Sequence, residues 1–338
     1  MSVKIIGAPL ANIPWQDKPE NCKSPIWRYD NNPIIGWNPT PKTARIFNSA
    51  VLPYNGHFAG IFRADHKNGK PQLHVGFSDD GVKWNIEDEE IHWVDENGDP
   101  YETLYAYDPR LLKLDGEYYI IWCTEFGGPA LGLGKTKDFK TFVRLENPFI
   151  PFNRNGVLFP RKINSKYFLL SRPSDNGHTP FGDIFVSESF DLVHWGKHRR
   201  VMTRGGSGWW QTVKIGAGPV PIETDKGWML LYHGVVNTCN GFEYSFGAAL
   251  LDIDNPSKVL MRTKDYLITP EEPYETTGFV PNVCFPCAAL CDADTGRIAV
   301  YYGAADTYVA MAFTTIEELY NNLLVNNELV SGDSVEFR

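Results

Sequence analysis

The sequence predicts an all-β protein, a five-bladed β-propeller with an N-terminal arm and a short C-terminal helix. Three observations predict it. The 338 residues are 14% aromatic and include 30 Gly and 24 Pro, a composition that suits many short strands joined by turns better than helices. One order of strand, turn, aromatic strand, apolar strand, polar tag and aromatic residue recurs along the chain. The tags that end at Trp84, Phe142, Trp195 and Val259 are spaced by 58, 53 and 64 residues, a period that fits four-stranded sheets with long connections.

Residues 1–45 are Pro-rich and irregular, with Trp15, Trp27, Tyr29 and Trp37 as scattered anchors, and are expected to pack as an arm on the main body. The first unit opens at Phe47, turns at Asn55-Gly56 and continues through His57–Arg63, Gln72–Phe77 and the tag Ser78–Trp84. The second opens at Asp108, turns at Asp115-Gly116 and runs through Tyr118–Trp122 and Leu131–Gly134. The third is carried by Val157–Phe159, Tyr167–Ser171 and Ile184–Val186, and the fourth by Gly218–Ile222, Trp228–His233 and Phe246–Asp252. The fifth comprises Phe285–Leu290, Ile298–Gly303 and Val309–Phe313. Over 314–325, Ile316, Leu319, Tyr320, Leu323 and Leu324 recur at helical spacing. The whole chain, 1–338, reads as one domain.

Composition narrows the partners. A net charge of -9 argues against nucleic acid or an anionic membrane surface, both of which select basic patches. No segment reaches the roughly 18 apolar residues of a membrane span, and Met1–Pro19 has no apolar run followed by a small-residue cleavage site, so a cytoplasmic location is expected. Six cysteines are too sparse for a disulfide scaffold. Cys284, Cys287 and Cys291 lie in an apolar strand-like run without a second Cys or His pair at zinc spacing, so they read as small buried hydrophobes; no metal or cofactor is expected. The apolar arm and helix offer surfaces for self-association, and a homo-oligomer is expected.

In a propeller the innermost strands line a central channel, so polar residues at strand ends converge there. Tyr107-Asp-Pro-Arg110 places a carboxylate where a loop enters a strand, because proline cannot donate to a ladder; an Asx turn is the plain alternative. Arg63, Arg172 and His233 each end a strongly apolar strand, where a surface-loop explanation fits less well. Arg154, Arg172, Lys214 and His233 form a set of four cationic donors able to hold a multiply charged anion, while Asp65, Asp108 and Asp306 suit sugar hydroxyls or proton transfer. No Gly-rich phosphate loop is present, so side chains must bind the anion.

The stretches Phe47-Asn-Ser-Ala-Val, Tyr107-Asp-Pro-Arg110, Pro151-Phe-Asn-Arg-Asn-Gly-Val-Leu-Phe-Pro-Arg161, Ser171-Arg-Pro-Ser-Asp-Asn-Gly-His178, Lys214-Ile-Gly-Ala-Gly-Pro-Val-Pro, Tyr232-His-Gly and Tyr301-Tyr-Gly-Ala-Ala-Asp306 resemble the β-mannoside phosphorylases of glycoside hydrolase family 130. The resemblance runs from about Asn32 to Leu324. It implies a five-bladed propeller that cleaves terminal β-mannosides with phosphate, giving α-mannose 1-phosphate and a shortened acceptor. It implies Asp108 as general acid, acting through the 3-hydroxyl of the mannosyl ring. The phosphate ligands fall on Arg154, Asn155, Arg172, Lys214 and His233, and the mannose contacts on Asn48, Ser49, Arg63, Asp65, Tyr107 and Asp306. Acceptor contacts near the channel mouth fall on His178, Tyr244 and Phe285. The subgroup that it most resembles acts on mannooligosaccharides and mannosyl-N-acetylglucosamine. Two other classes share the fold: an inverting hydrolase, which needs a second carboxylate as base, and a non-catalytic sugar-binding propeller, which has no need of the cation set.

Overall fold

Strand pairing in the computed structural model, which describes residues 2–10, 12–174 and 182–329, groups the chain into five sheets, antiparallel throughout except where Trp93–Val94 runs parallel to Phe142–Leu145. Blade 1 is Thr43–Tyr54, His57–His66, Pro71–Ser78 and Asn85–Glu90. Blade 2 is Ala106–Leu114, Glu117–Glu125, Pro129–Thr136 and Phe142–Leu145, widened at its outer edge by the short pair Trp93–Val94 and Pro100–Tyr101. Blade 3 is Asn153–Leu158, Tyr167–Pro173, Ile184–Ser189 and Trp195–Met202. Blade 4 is Lys214–Ala217, Gly227–Thr238, Gly241–Leu251 and Val259–Arg262, with Ile222–Thr224 also paired to its second strand.

Blade 5 has only three consecutive strands, Cys284–Cys291, Arg297–Ala304 and Tyr308–Thr315. Its fourth comes from the other end of the chain: Ile26–Arg28 pairs antiparallel with Tyr308–Thr315, Trp27 opposite Phe313. The segment expected to be an irregular arm is therefore partly a strand, and blade 1 already begins at Thr43, inside the predicted arm. The difference has a physical source, since a three-residue strand among prolines leaves no alternation to read.

Five apolar clusters, each shared by two neighbouring blades, close the ring. Blade 1 packs on blade 2 through Leu52, Ile61, Ile120 and Trp122, and blade 2 on blade 3 through Leu112, Ile121, Leu158 and Leu169. Phe159 and Leu170 meet Ile215 and Trp228 of blade 4, whose Met229 and Phe246 meet Val300 and Tyr302 of blade 5. Phe58 and Phe62 of blade 1 then meet Tyr301 and Met311 of blade 5, with Trp27 and Ile35 from the arm. The C-terminal helix spans Ile316–Val325, its first turn capped by the Thr315 hydroxyl accepting from the Glu318 amide. Its stripe, Ile316, Leu319 and Leu323, is buried against blades 4 and 5 of its own chain.

The polar tags are turns that launch the outermost strands. Asp80 accepts from the amides of Val82 and Lys83, Asp138 from those of Lys140 and Thr141, and Asp191 from those of Val193 and His194. A Ser or Thr two residues earlier, Ser78, Thr136 or Ser189, accepts from the next amides of the same turn. These bonds hold all three carboxyls below the ordinary range, in Asp80 against the opposing effect of burial.

Candidate active site

The innermost strands of blades 1, 2 and 3 carry the same irregularity. Two residues of the inner strand oppose one of its partner between Phe47 and Ala50, between Tyr107 and Arg110, and between Arg154 and Val157. The residue after the last regular pair is Asn48, Asp108 or Asn155, each in a left-handed backbone (φ 47°, 53° and 51°). Asn and Asp tolerate that conformation best among residues with a Cβ, and a bulge re-aims the side chain that it carries. Three of the predicted site residues are thus turned by one repeated device. Gly303 of blade 5 makes room for the first of them, because a Cβ there would collide with the Asn48 carboxamide.

Two chemically different halves result. In the first, Asp108 Oδ1 accepts from Asn48 Nδ2 at 2.8 Å and Arg63 Nη1 at 2.8 Å, while Oδ2 accepts no hydrogen bond among the described residues. Arg63 Nε also reaches Asp65 at 3.3 Å, and Arg45 holds the other Asp65 oxygen at 3.1 Å. The Arg63 guanidinium lies 4.1 Å from the Phe47 ring centroid and 5.0 Å from that of Tyr107. Ser49 is buried on the same bulge, its hydroxyl 3.5 Å from the Phe47 carbonyl. Asp306 follows the second strand of blade 5 in a left-handed turn (φ 46°). Burial pushes its carboxyl up to about 7, with Arg63 opposing and Asp108 and Asp65 reinforcing the shift.

The second half collects cations. Arg154 and Arg172 stand directly opposite each other on paired strands of blade 3. Neither they nor Lys214 forms an ion pair among the described residues. Burial and the two arginines lower the Lys214 ammonium to about 8, and burial with Arg154 lowers Arg172 to about 10. Like charges facing each other across a ladder destabilise it, so the pair calls for an anion between or beside them. Arg154 Nε and Asn155 Oδ1 are buried without hydrogen-bond partners among the described residues.

His233 differs from expectation. It is fully buried and its pKa is driven well below the ordinary value by burial and by Arg172, Arg110 and Lys214, so it is neutral and the cations number three. Its Nε2 lies 2.9 Å from Arg172 Nη1, and a guanidinium can only donate, so Nε2 accepts and the proton sits on Nδ1. Nδ1 is buried without a partner among the described residues, a donor left for a ligand. Gly216, opposite His233, has no side chain because a Cβ would meet the imidazole and the Arg172 guanidinium.

Tyr244 and Phe285 pack on His233, with ring centroids 6.1 and 4.4 Å away, so they border the cation cluster itself. His178 lies outside the described residues. Arg161, named among the polar residues of its motif, pairs with Glu223 and does not join the site. The sequence reading missed Arg45, which braces Asp65 and stacks 3.7 Å over Phe279; only the bulged register of the paired strands sets it opposite Asp65, so the sequence carried no signal for it. It also left Arg110 without a role. That guanidinium is buried and donates to the carbonyls of Gly218 (2.5 Å) and Pro109 (3.0 Å), tying the Asp108 bulge to the chain just beyond Lys214–Ala217.

The chain is similar to several known proteins along most of its length. The family described as beta-1,4-mannooligosaccharide phosphorylase matches residues 10–324. A beta-1,4-mannooligosaccharide phosphorylase of Ruminococcus albus is 54% identical over 327 residues, covering 94% of this chain and 97% of that one. A 1,2-beta-oligomannan phosphorylase of Thermoanaerobacter is 33% identical, covering 82% and 92%. The solved structure of a beta-1,2-mannobiose phosphorylase from Listeria innocua in complex with beta-1,2-mannobiose superposes with a TM-score of 0.79 at 27% identity, covering 89% of this chain and 99% of that one.

Proposed function

The chain belongs to glycoside hydrolase family 130, and from that premise we propose that it phosphorolyses terminal β-1,4-mannosides of mannooligosaccharides with inversion. The observation that carries the reading is the opposed pair Arg154 and Arg172, joined by Lys214, with no carboxylate paired to any of them among the described residues. An inverting hydrolase needs a carboxylate base beside the attacking water. Phosphate arrives as its own nucleophile and needs cations in that place.

In the proposed reaction the mannosyl ring lies over Asn48, Ser49, Arg63, Asp65, Tyr107 and Asp306. Phosphate, held by Arg154, Asn155, Arg172, Lys214 and His233 Nδ1–H, attacks the anomeric carbon from the face opposite the leaving group. A C–O bond to phosphate forms as the glycosidic C–O bond breaks. The leaving oxygen takes the 3-hydroxyl proton, which Asp108 replaces from Oδ2, the oxygen that accepts from no donor among the described residues. The products are α-mannose 1-phosphate and an acceptor one mannose shorter. Tyr244, Phe285 and His178 are proposed to border the acceptor. The apolar stripe of the helix is buried within the chain, so the proposed homo-oligomer uses other faces.

The deciding experiment incubates β-1,4-mannobiose, β-1,4-mannotriose and β-1,4-mannosyl-N-acetylglucosamine with and without phosphate and identifies the products. Mannose 1-phosphate formed only with phosphate, and fastest from the mannooligosaccharides, is expected. Free mannose released equally well without phosphate would return the protein to the hydrolase class.

A further inference from the structure

We propose a divalent-cation site, of the zinc class, formed by His66, His74 and Glu90 on blade 1. The three residues come from its three outer strands, His57–His66, Pro71–Ser78 and Asn85–Glu90, and His74 faces Glu90 directly across the ladder. Their ligand atoms all lie within 4.8 Å of one another, which among the described residues no other group of His, Cys, Asp or Glu matches.

The second observation is how His74 is held. The residue is fully buried, and its Nδ1 lies 2.8 Å from the Glu87 carbonyl oxygen. A carbonyl only accepts, so Nδ1 carries the proton and Nε2 presents a lone pair inward. Metal-bound histidines are oriented in this way by an outer partner. That Nε2 faces the Nε2 of His66 at 2.7 Å, and Glu90 forms no ion pair among the described residues. The nearby cation, Lys42, is already engaged by Glu89, and Asp88 is engaged by Thr40 and the Lys42 amide.

Without an ion, His66 supplies the hydrogen between the two nitrogens. Binding requires that His66 Nε2 release that proton to solvent. Two nitrogens at about 2.0–2.1 Å from a tetrahedral zinc are about 3.3 Å apart, so the rings must separate by roughly 0.6 Å. His66 ends its strand and is half-buried, so it can move by that amount. Two imidazoles and one carboxylate select zinc over the hard cations calcium and magnesium, which take oxygen ligands. The ion would pin the strand end immediately after Asp65, the residue that braces Arg63 and Arg45.

The test uses the full-length, tag-free chain stripped with a chelator and titrated with zinc ions alone, bound metal being counted by mass spectrometry and heat by calorimetry. About one zinc per chain is expected, with a rise in melting temperature and with no uptake of calcium. Glu90→Gln, a partly exposed strand position that leaves the fold intact, should weaken binding at least 10-fold, and His74→Ala should abolish it. No zinc uptake at tens of micromolar would overturn the site and leave an ordinary histidine pair. Equal uptake by wild type and Glu90→Gln, an adventitious ion only, would overturn it as well. The readout is the metal, so failure leaves the phosphorolysis reading untouched.

Discussion

Arg172 is the residue on which the phosphate reading turns. It donates to His233, faces Arg154 and forms no ion pair among the described residues. Charge-assisted bonds each contribute about 1.5–3 kcal/mol, so Arg172→Ala should raise the KM for phosphate about 10- to 150-fold, with far less effect on mannoside affinity. Initial rates across phosphate concentration check this, and Arg172→Lys should not restore the forked grip. Lys214 adds a pH dependence. Its ammonium, lowered to about 8, is charged below that pH, so phosphate KM should climb as pH rises above 8. Asp306 titrates with the opposite consequence for the free protein. Its carboxyl is raised to about 7, so the fold prefers it protonated, and the stability it contributes is lost as pH rises from about 4 through 7. Melting temperatures of wild type and Asp306→Asn should diverge across that window in favour of the variant, then run parallel above it. At this scale residue types were legible and charge states were not. His233 counts as a cation in sequence, and only its burial beside Arg172 makes it neutral.

The repeated bulge explains why substitutions at one position should separate so widely. Asp108 sits at φ 53°, which asparagine tolerates and a β-branched residue does not. Asp108→Asn should therefore fold normally and lose about 10²- to 10⁴-fold in phosphorolysis, the usual contribution of a general acid. Asp108→Val should also cost about 1–3 kcal/mol of stability, seen by denaturant titration. The repeats themselves could be read from turns and apolar runs. Their bulges could not, because a register slip belongs to the pairing of two strands. Asn48, Asp108 and Asn155 gave only a faint hint, three Asx residues at the openings of three units.

Across the whole molecule, the ring depends on a join between distant parts of the chain. Arg28, on the strand that completes blade 5, donates through Nε at 2.8 Å to Glu275, which is fully buried and also accepts from the Tyr302 hydroxyl. Removing the cation leaves a buried carboxylate uncompensated, so Arg28→Ala should destabilise the protein by about 3–5 kcal/mol, measured as the loss of unfolding free energy in urea. Blade count and helix position were legible because each blade repeats one pattern. The closing strand was not, because it is three residues long and its partner lies some 280 residues away. That separation also orders events in time during synthesis. Ile26–Arg28 leaves the ribosome before Tyr308–Thr315, so at about 5–20 residues per second the early strand waits roughly 15–55 s for its mate. A nascent chain halted before blade 5 would hold four blades and an unmatched leader, and its prolines help keep that leader from pairing with the wrong edge in the interval.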